Sequence, residues 1–284
     1  MKNIRIISSD TIKNVVKELF IEANHVLPES VKNALETAVR EEIAELPKSV
    51  LLRLGENIDV AKKCNLPVCQ DTGMAVLFAE IGKDVHIDGD SFDEAVNEGV
   101  REAYVEGKLR LSVVKDPLFD RINTNDNTPA IIYTSFVDGD KVRLTALPKG
   151  FGSENMSKVK MFTPSASRDD IIDFVVDTVR CAGGNPCPPV VVGVGIGGTF
   201  DYSCVLSKKA LAREIHDVNK DEEYALLEKE MLERINALGI GPQGFGGKTT
   251  ALAVKIEKYP THIAGLPVAV NICCHVMRHK TVEI

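Results

Sequence analysis

Residues 180–200 read RCAGGNPCPPVVVGVGIGGTF, and the way they are parsed decides the fold. The run 190–194 is short, β-branched and bounded by glycine and proline, the pattern of a buried strand. Two chemistries compete for what surrounds it. Gly193-x-Gly195-x-x-Gly198 has the glycine spacing of a dinucleotide-binding turn, whereas Cys187, fixed ahead of Pro188 and Pro189, has the setting of a metal ligand. A dinucleotide site also requires an acidic residue about 20 positions further on, at the end of a second strand. That region here is Ile215-His216-Asp217, within or at the end of a helical stretch. The glycines are therefore read as a tight turn from strand to helix, with a nucleotide-binding protein kept as the alternative.

Outward from this strand, helical patterning covers 168–181 on one side and 202–215 and 221–238 on the other; apolar runs at 250–256 and 266–272 follow. Strands are expected at 130–137 and 142–147, flanking the Asp138-Gly139-Asp140 turn, while 116–128 is polar and reads as loop. Ser91-Phe92-Asp93-Glu94 is a capping box opening a helix to about Gly107. Before it, Leu66-Pro67-Val68-Cys69-Gln70-Asp71-Thr72-Gly73 has loop chemistry, and 74–81 is strand-like. The first 65 residues read as three helices, starting near Ser9, after Pro28 and from about Pro47, with Val31, Leu35, Val39 and Ile43 recurring every four positions. The expected fold is α/β of the mixed α+β kind. It comprises a single domain over 1–284, with a helical N-terminal layer over 1–65 followed by mixed β-sheets covered by helices.

The 284 residues are 44% hydrophobic, enough for a large core. A net charge of −7 with no basic block argues against a nucleic-acid binder, which needs clustered Lys and Arg to neutralise phosphates. No apolar run reaches the roughly 18 residues of a membrane span, and the opening MKNIRIISSDTIKNVVKELF lacks a signal-peptide core. A soluble, cytoplasmic protein without membrane association is expected. Seven cysteines, an odd number without a secretion signal, argue against a disulfide framework and leave thiols for metal. The last apolar run stops a few residues before Ile284, which hints at a missing partner.

A second glycine-rich stretch, Gly241-Pro-Gln-Gly-Phe-Gly-Gly-Lys248-Thr249-Thr250, fails as a P-loop because position 242 is proline and the segment leads into a strand. Lys248 faces either an anion or solvent. Three cysteine positions stand in unusual settings: Cys69 before Gln70-Asp71, Cys187 before two prolines, and Cys273-Cys274 before His275. Separations of 118 residues (69 to 187) and 87 (187 to 274) exclude a finger or ribbon, so only folding could unite them. On the residues alone, a shared metal site and inert core thiols both remain open. Asp71 is open in the same way, as an acid–base group or as a cap of the Thr72-Gly73 turn.

Six motifs, in order, change that balance: PVCQDTG (67–73), LRLS (109–112), KGFGSEN (149–155), NPCPP with VGVGIGG (185–198), GIGPQGFGGKTTALAV (239–254) and THIAGLPVAVNICCHVMRHK (261–280). Together they resemble the alpha subunit of the two-subunit iron–sulfur fumarate hydratases, from about residue 20 onward. The resemblance implies that Cys69, Cys187 and one of Cys273 and Cys274 bind a [4Fe–4S] cluster. Cys274 is favoured, four positions before Arg278. One iron would stay open as a Lewis acid for the reversible hydration of fumarate to L-malate, a step of the tricarboxylic acid cycle.

By the same resemblance Gln70 orients a small dicarboxylate, Asp71 handles the proton, and Arg110 grips a carboxylate bidentately. Gly150 and Gly152 let the backbone approach the ligand, although Phe151 departs from the family's glycine-richer loop. His262 would hydrogen-bond a substrate carboxylate. Cys64, Cys181 and Cys204 are bystanders. His275, Arg278, His279 and Lys280 form a basic tail whose default reading is a solvated terminus. A heteromer with a beta subunit, with alpha–alpha contacts as well, is implied for activity. The alternatives are an L-tartrate dehydratase alpha subunit, a nucleotide-binding protein using the glycine loops, and a non-catalytic iron–sulfur carrier.

Overall fold

The computed structural model describes residues 4–284. In chain order its first elements are β1 (Arg5–Ser8), α1 (Ser9–His25), α2 (Glu29–Glu41), α3 (Glu45–Cys64), β2 (Met74–Gly82), β3 (Val85–Asp88) and α4 (Phe92–Glu106). Then come β4 (Ile131–Val137), β5 (Val142–Lys149), α5 (Phe151–Glu154), β6 (Lys158–Phe162), α6 (Arg168–Ala182), β7 (Val190–Gly198) and α7 (Phe200–Ala210). After α8 (Glu222–Asn236) and a 3-10 turn at Pro242–Gly244, the chain closes with β8 (Ala251–Thr261), β9 (Leu266–Cys273) and β10 (Lys280–Glu283). The mixed α/β class expected from the sequence is the class observed.

The chain divides into two compact units, and the N-terminal helices are distributed over both. The first holds the residues up to Leu27 with Ala61–Gly150 and Arg278–Ile284; the second holds Pro28–Val60 and Phe151–Met277.

In the first unit, Ser8 caps α1 by accepting from the Thr11 amide, and Ile12, Val16, Leu19, Phe20 and Ala23 bury one face of that helix. This face meets Val96, Val100, Ala103 and Tyr104 of α4, whose expected capping box is present, with Ser91 and Glu94 each bonding the other's backbone. Beside them lies a four-stranded sheet of order β10-β5-β2-β4. β2 is nearly all apolar and buried, as a central strand must be, and carries β5 antiparallel on one edge and β4 parallel on the other. The Asp138-Gly139-Asp140 turn therefore does not close a hairpin, because β2 lies between the strands it joins. β1 and β3 form a separate parallel pair. Each large apolar side chain removed from water here contributes about 1.5–3 kcal/mol.

The second unit is built on a sheet of order β6-β9-β7-β8, with β7 parallel to β8 and antiparallel to β9. The two faces of β7 differ. Val190, Val192 and Val194 join the core made with α6 and α8. Gly193 and Gly195, on the alternate face, lie under α7: a Cβ at Gly193 would stand 2.1 Å from the Ser207 carbonyl, and one at Gly195 2.0 Å from that of Ser203. These glycines are what lets a helix rest directly on the strand. α7 ends at Ala210, short of the 215 suggested by its pattern. Beyond it Arg213 turns inward, where Nη1 donates to Glu228 Oε1 at 3.0 Å and to the Ile256 carbonyl at 3.1 Å.

Candidate functional site

In the first unit the loop between α3 and β2 is held almost atom by atom. The Val68 amide donates to the Asn24 carbonyl at 3.0 Å, bringing Cys69 to a half-buried position. The Asp71 amide points back at Cys69 Sγ at 3.4 Å, and Asp71 Oδ1 accepts from the Gly73 amide at 3.1 Å. Asp71 thus caps the turn, and its second carboxylate oxygen faces Gly150, where a Cβ would come within 3.0 Å. Gly73, at φ 74°, admits no side chain either, since its Cβ would sit 2.6 Å from the Lys149 backbone.

Three consecutive carbonyls of this loop are taken by buried side chains from three other segments. Arg278 Nη2 donates to the Asp71 carbonyl. The Tyr104 hydroxyl donates to the carbonyls of Thr72, at 2.9 Å, and Gly73, at 3.2 Å. Asn127 Nδ2 donates to Gly73 at 3.2 Å, while its Oδ1 accepts from the Ser112 amide at 2.7 Å. Tyr104 and Asn127 are fully buried. Burial pushes the Tyr104 phenol well above its ordinary range, so it is a donor at any physiological pH.

The strand-free segment that presents Asn127 is anchored by its neighbour Asp126. Although burial pushes this carboxyl up, bonds from the Thr128 amide and hydroxyl and from Arg101 bring it down to about 2. Thr72 and Arg110 are locked together: Thr72 Oγ1 accepts from the Arg110 amide at 2.9 Å and donates to the Arg110 carbonyl at 3.3 Å. With its backbone fixed in this way, Arg110 presents an exposed side chain, as does Gln70.

In the second unit, Cys187 is exposed and adopts a left-handed backbone, φ 55°. Its carbonyl accepts from His275 Nδ1 at 2.9 Å, and the Pro188 carbonyl accepts from Gln243 Nε2 at 2.8 Å. The Cys187 segment is thereby tied to the end of β9, where the Val191↔Cys273 pairing brings the two strand ends together. Cys273 is buried and Cys274 half-buried, the alternation expected where a strand leaves a sheet.

His262 lies elsewhere. It sits in the turn between β8 and β9, exposed, its Nδ1 accepting from the Ala264 amide at 3.1 Å. The eight residues of β9 separate that turn from Cys274, roughly 25 Å of extended strand. Within this chain His262 and Cys274 thus flank opposite ends of β9.

Gly152 and Phe151 lie in α5, both exposed, and Lys248 is exposed, its amide donating to Glu42 Oε2 at 2.7 Å. The basic tail is not a solvated terminus. Arg278 is 2% and His279 7% exposed, and Lys280 begins β10. Among the described residues, no group of three or more His, Cys, Asp or Glu is arranged to hold a metal ion. Cys69 belongs to the first unit, Cys187 and Cys274 to the second.

The family model for fumarate hydratase (Fumerase) matches residues 13–283. This chain belongs to that family. Among its curated relatives in the Fumerase family is a Methanocaldococcus jannaschii protein provisionally named L(+)-tartrate dehydratase subunit alpha. The two are 46% identical over 267 residues, covering 93% of this chain and 94% of the relative. The L(+)-tartrate dehydratase subunit alpha of Escherichia coli (strain K12) is 31% identical over 262 residues, covering 91% of this chain and 86% of the relative. The Shigella sonnei (strain Ss046) protein of the same name matches to the same extent.

Tyr104 and Asn127 carry little signal in the sequence. Tyr104 occupies an apolar position of a helix and looks like ordinary core. Asn127 carried the only available signal, an Asn-rich stretch of 123–127 in which Asn125 and Asn127 take left-handed φ of 65° and 60°, a conformation asparagine tolerates.

Proposed function

We propose that this Fumerase-family chain is the alpha subunit of a cytoplasmic hydro-lyase acting on a four-carbon dicarboxylate. The observation that carries the reading is the loop 69–73, where a half-buried thiol and a carboxylate two residues apart are fixed by the Asp71 amide on the Cys69 sulfur, the Gly73 amide on the Asp71 carboxylate and side-chain donors on the carbonyls of residues 71–73. A spectator turn needs no such restraint.

The donor set suits a [4Fe–4S] cluster. Cys69, Cys187 and Cys274 would be its ligands: three soft thiols, none fully buried, with the Asp71 amide already directed at the Cys69 sulfur. Cys273, whose side chain is 4% exposed, is the less suitable member of its pair. When bound, such a cluster supplies a Lewis acid for the substrate hydroxyl at an iron without a protein ligand.

The chain's own residues supply the rest. Arg110 offers two parallel N–H groups to one substrate carboxylate. Gln70 orients the substrate from the exposed side of the loop. Asp71 carries the proton at the adjacent carbon, using the oxygen on the Gly150 side, and Gly150 and Gly152, without side chains, would let the backbone N–H groups meet the substrate. His262, exposed in the turn between β8 and β9, would hydrogen-bond a substrate carboxylate. The names of the relatives support a beta subunit as partner.

Fumarate and L-malate are the first reading of the substrate, supported by the family model and by the KGFGSEN and GGKTTA motifs. L(+)-tartrate is the second, favoured by the names of the relatives. Anaerobic reconstitution followed by turnover with malate, fumarate and L(+)-tartrate in the presence of the beta chain decides between them. Cys69→Ser, Cys187→Ser and Cys274→Ser should each lose bound iron and visible absorption, while Cys181→Ser keeps both. Equal iron retention in all four would remove the ligand assignment.

A further inference from the structure

Arg278 is a cation only 2% exposed, and a buried charge is costly unless its geometry is used. Two acceptors of its guanidinium are backbone carbonyls of the first unit: Nη2 donates to Asp71 and Nε to Pro148, the latter at 3.3 Å. Those carbonyls lie on the two backbone segments that flank the Asp71 carboxylate. One is the residue's own peptide; the other leads into Gly150, whose Cα side faces Asp71 Oδ2. We propose that Arg278 is a positioning residue, a planar clamp that fixes the spacing between loop 69–73 and segment 148–150 and so aims the Asp71 carboxylate at the substrate. The proposal rests on the reading of Asp71 as the proton-handling group.

Three features favour a clamp over simple cement. The guanidinium is rigid and forked, so two carbonyls bonded to it are held in one plane at a fixed separation; a lysine ammonium on a flexible stem cannot do this. The charges of Arg278 and Asp71 both act on the Tyr104 phenol, in opposite senses, which places them around the same buried hydroxyl. The next two carbonyls of the loop, Thr72 and Gly73, are already secured by Tyr104 and Asn127. The Arg278 bond therefore adds restraint at the one residue of the turn that carries a reactive side chain.

The test uses the full chain with its beta partner and compares Arg278→Lys, Arg278→Gln, Asp71→Asn and the double variant Arg278→Lys/Asp71→Asn. Arg278→Lys should lower kcat by about tenfold or more with KM changed less than about twofold, the signature of a misplaced reacting group. Bound iron should be unchanged. Because the two residues act as a unit, the double variant should be no slower than Asp71→Asn alone. On the chain without cluster, hydrogen exchange of the amides in 69–73 and 148–150 should rise in Arg278→Lys while the β7 amides stay protected. Multiplicative losses in the double variant, an unchanged kcat in Arg278→Lys with Asp71→Asn inactive, or failure of both Arg278 variants to fold would each overturn the proposal. Full activity in Asp71→Asn would instead overturn the reading of Asp71 on which it stands.

Discussion

Replacing Tyr104 with phenylalanine removes a single oxygen from the first unit and leaves the ring in place. That ring is fully buried, with its centroid 6.4 Å from that of Phe20, so its packing survives the change. The hydroxyl donates to the Thr72 carbonyl at 2.9 Å and to that of Gly73 at 3.2 Å. Gly73 keeps the Asn127 amide at 3.2 Å, so the loss falls on Thr72. A buried acceptor deprived of its donor costs about 1–3 kcal/mol, and the partial compensation at Gly73 puts the expected loss near the middle, about 1.5 kcal/mol. That is roughly a tenfold fall in the folded-to-unfolded ratio, and urea titration followed by circular dichroism at neutral pH should read it as a lower midpoint with an unchanged slope.

A second arm of the same experiment uses alkali. Burial raises the Tyr104 phenol, so the folded chain holds this proton more tightly than the unfolded one. Its contribution is complete below the ordinary phenol value of about 10 and is lost as pH climbs from there toward the raised folded value. Wild type should therefore lose stability above about pH 10 by an increment that Tyr104→Phe lacks. A variant within about 0.3 kcal/mol of wild type, or one with the same alkaline loss, would refute the assignment of the hydroxyl to the loop.

Two further variants probe the frame around the site. Gly195→Ala would put a methyl 2.0 Å from the Ser203 carbonyl, forcing α7 off β7; we expect a loss of about 3 kcal/mol, checked by thermal unfolding. Asp126 is held at about 2, so its contribution is present above the ordinary carboxyl value of about 3.9 and fades as pH falls through that window. Asp126→Asn should flatten the stability profile between about pH 4 and pH 2, by on the order of 2 kcal/mol, in acid titrations monitored by fluorescence or circular dichroism.

The features that could be read from the sequence are those encoded locally. Ser91 and Glu94 satisfy each other's backbone within one turn, so α4 announces its own start. β7 opens on three consecutive valines bounded by proline and glycine, a pattern that favours a buried strand. Strands of four or five residues, β1, β3, β6 and β10, carry too few positions for a period to show. The insertion of β2 between β4 and β5 depends on residues more than 50 positions apart, and no turn signal encodes it. At the site, the thiol and carboxylate types of Cys69 and Asp71 are visible in their motif. The cage around them is not, because Tyr104, Asn127 and Arg278 act through main-chain carbonyls, and any sequence offers those. Arg278 shows the limit best: four basic residues in the last ten look like a solvated tail until the acceptors for the guanidinium are seen.

β10 pairs with β5 from Lys280↔Ala146 to Glu283↔Arg143, and Ile284 exchanges both main-chain bonds with Val142 at 2.9 Å. Phe151–Met277, the larger segment of the second unit, is synthesised between these two partners. At the usual 5–20 residues per second, the β5 border emerges from the ribosome and waits roughly 6 to 25 seconds for its mate. During that interval an apolar strand offers an open row of amides and carbonyls to any neighbouring nascent chain. Solubility during biosynthesis is thus set by what shields this border, and slower translation of the intervening codons prolongs the hazard without altering one contact of the finished molecule.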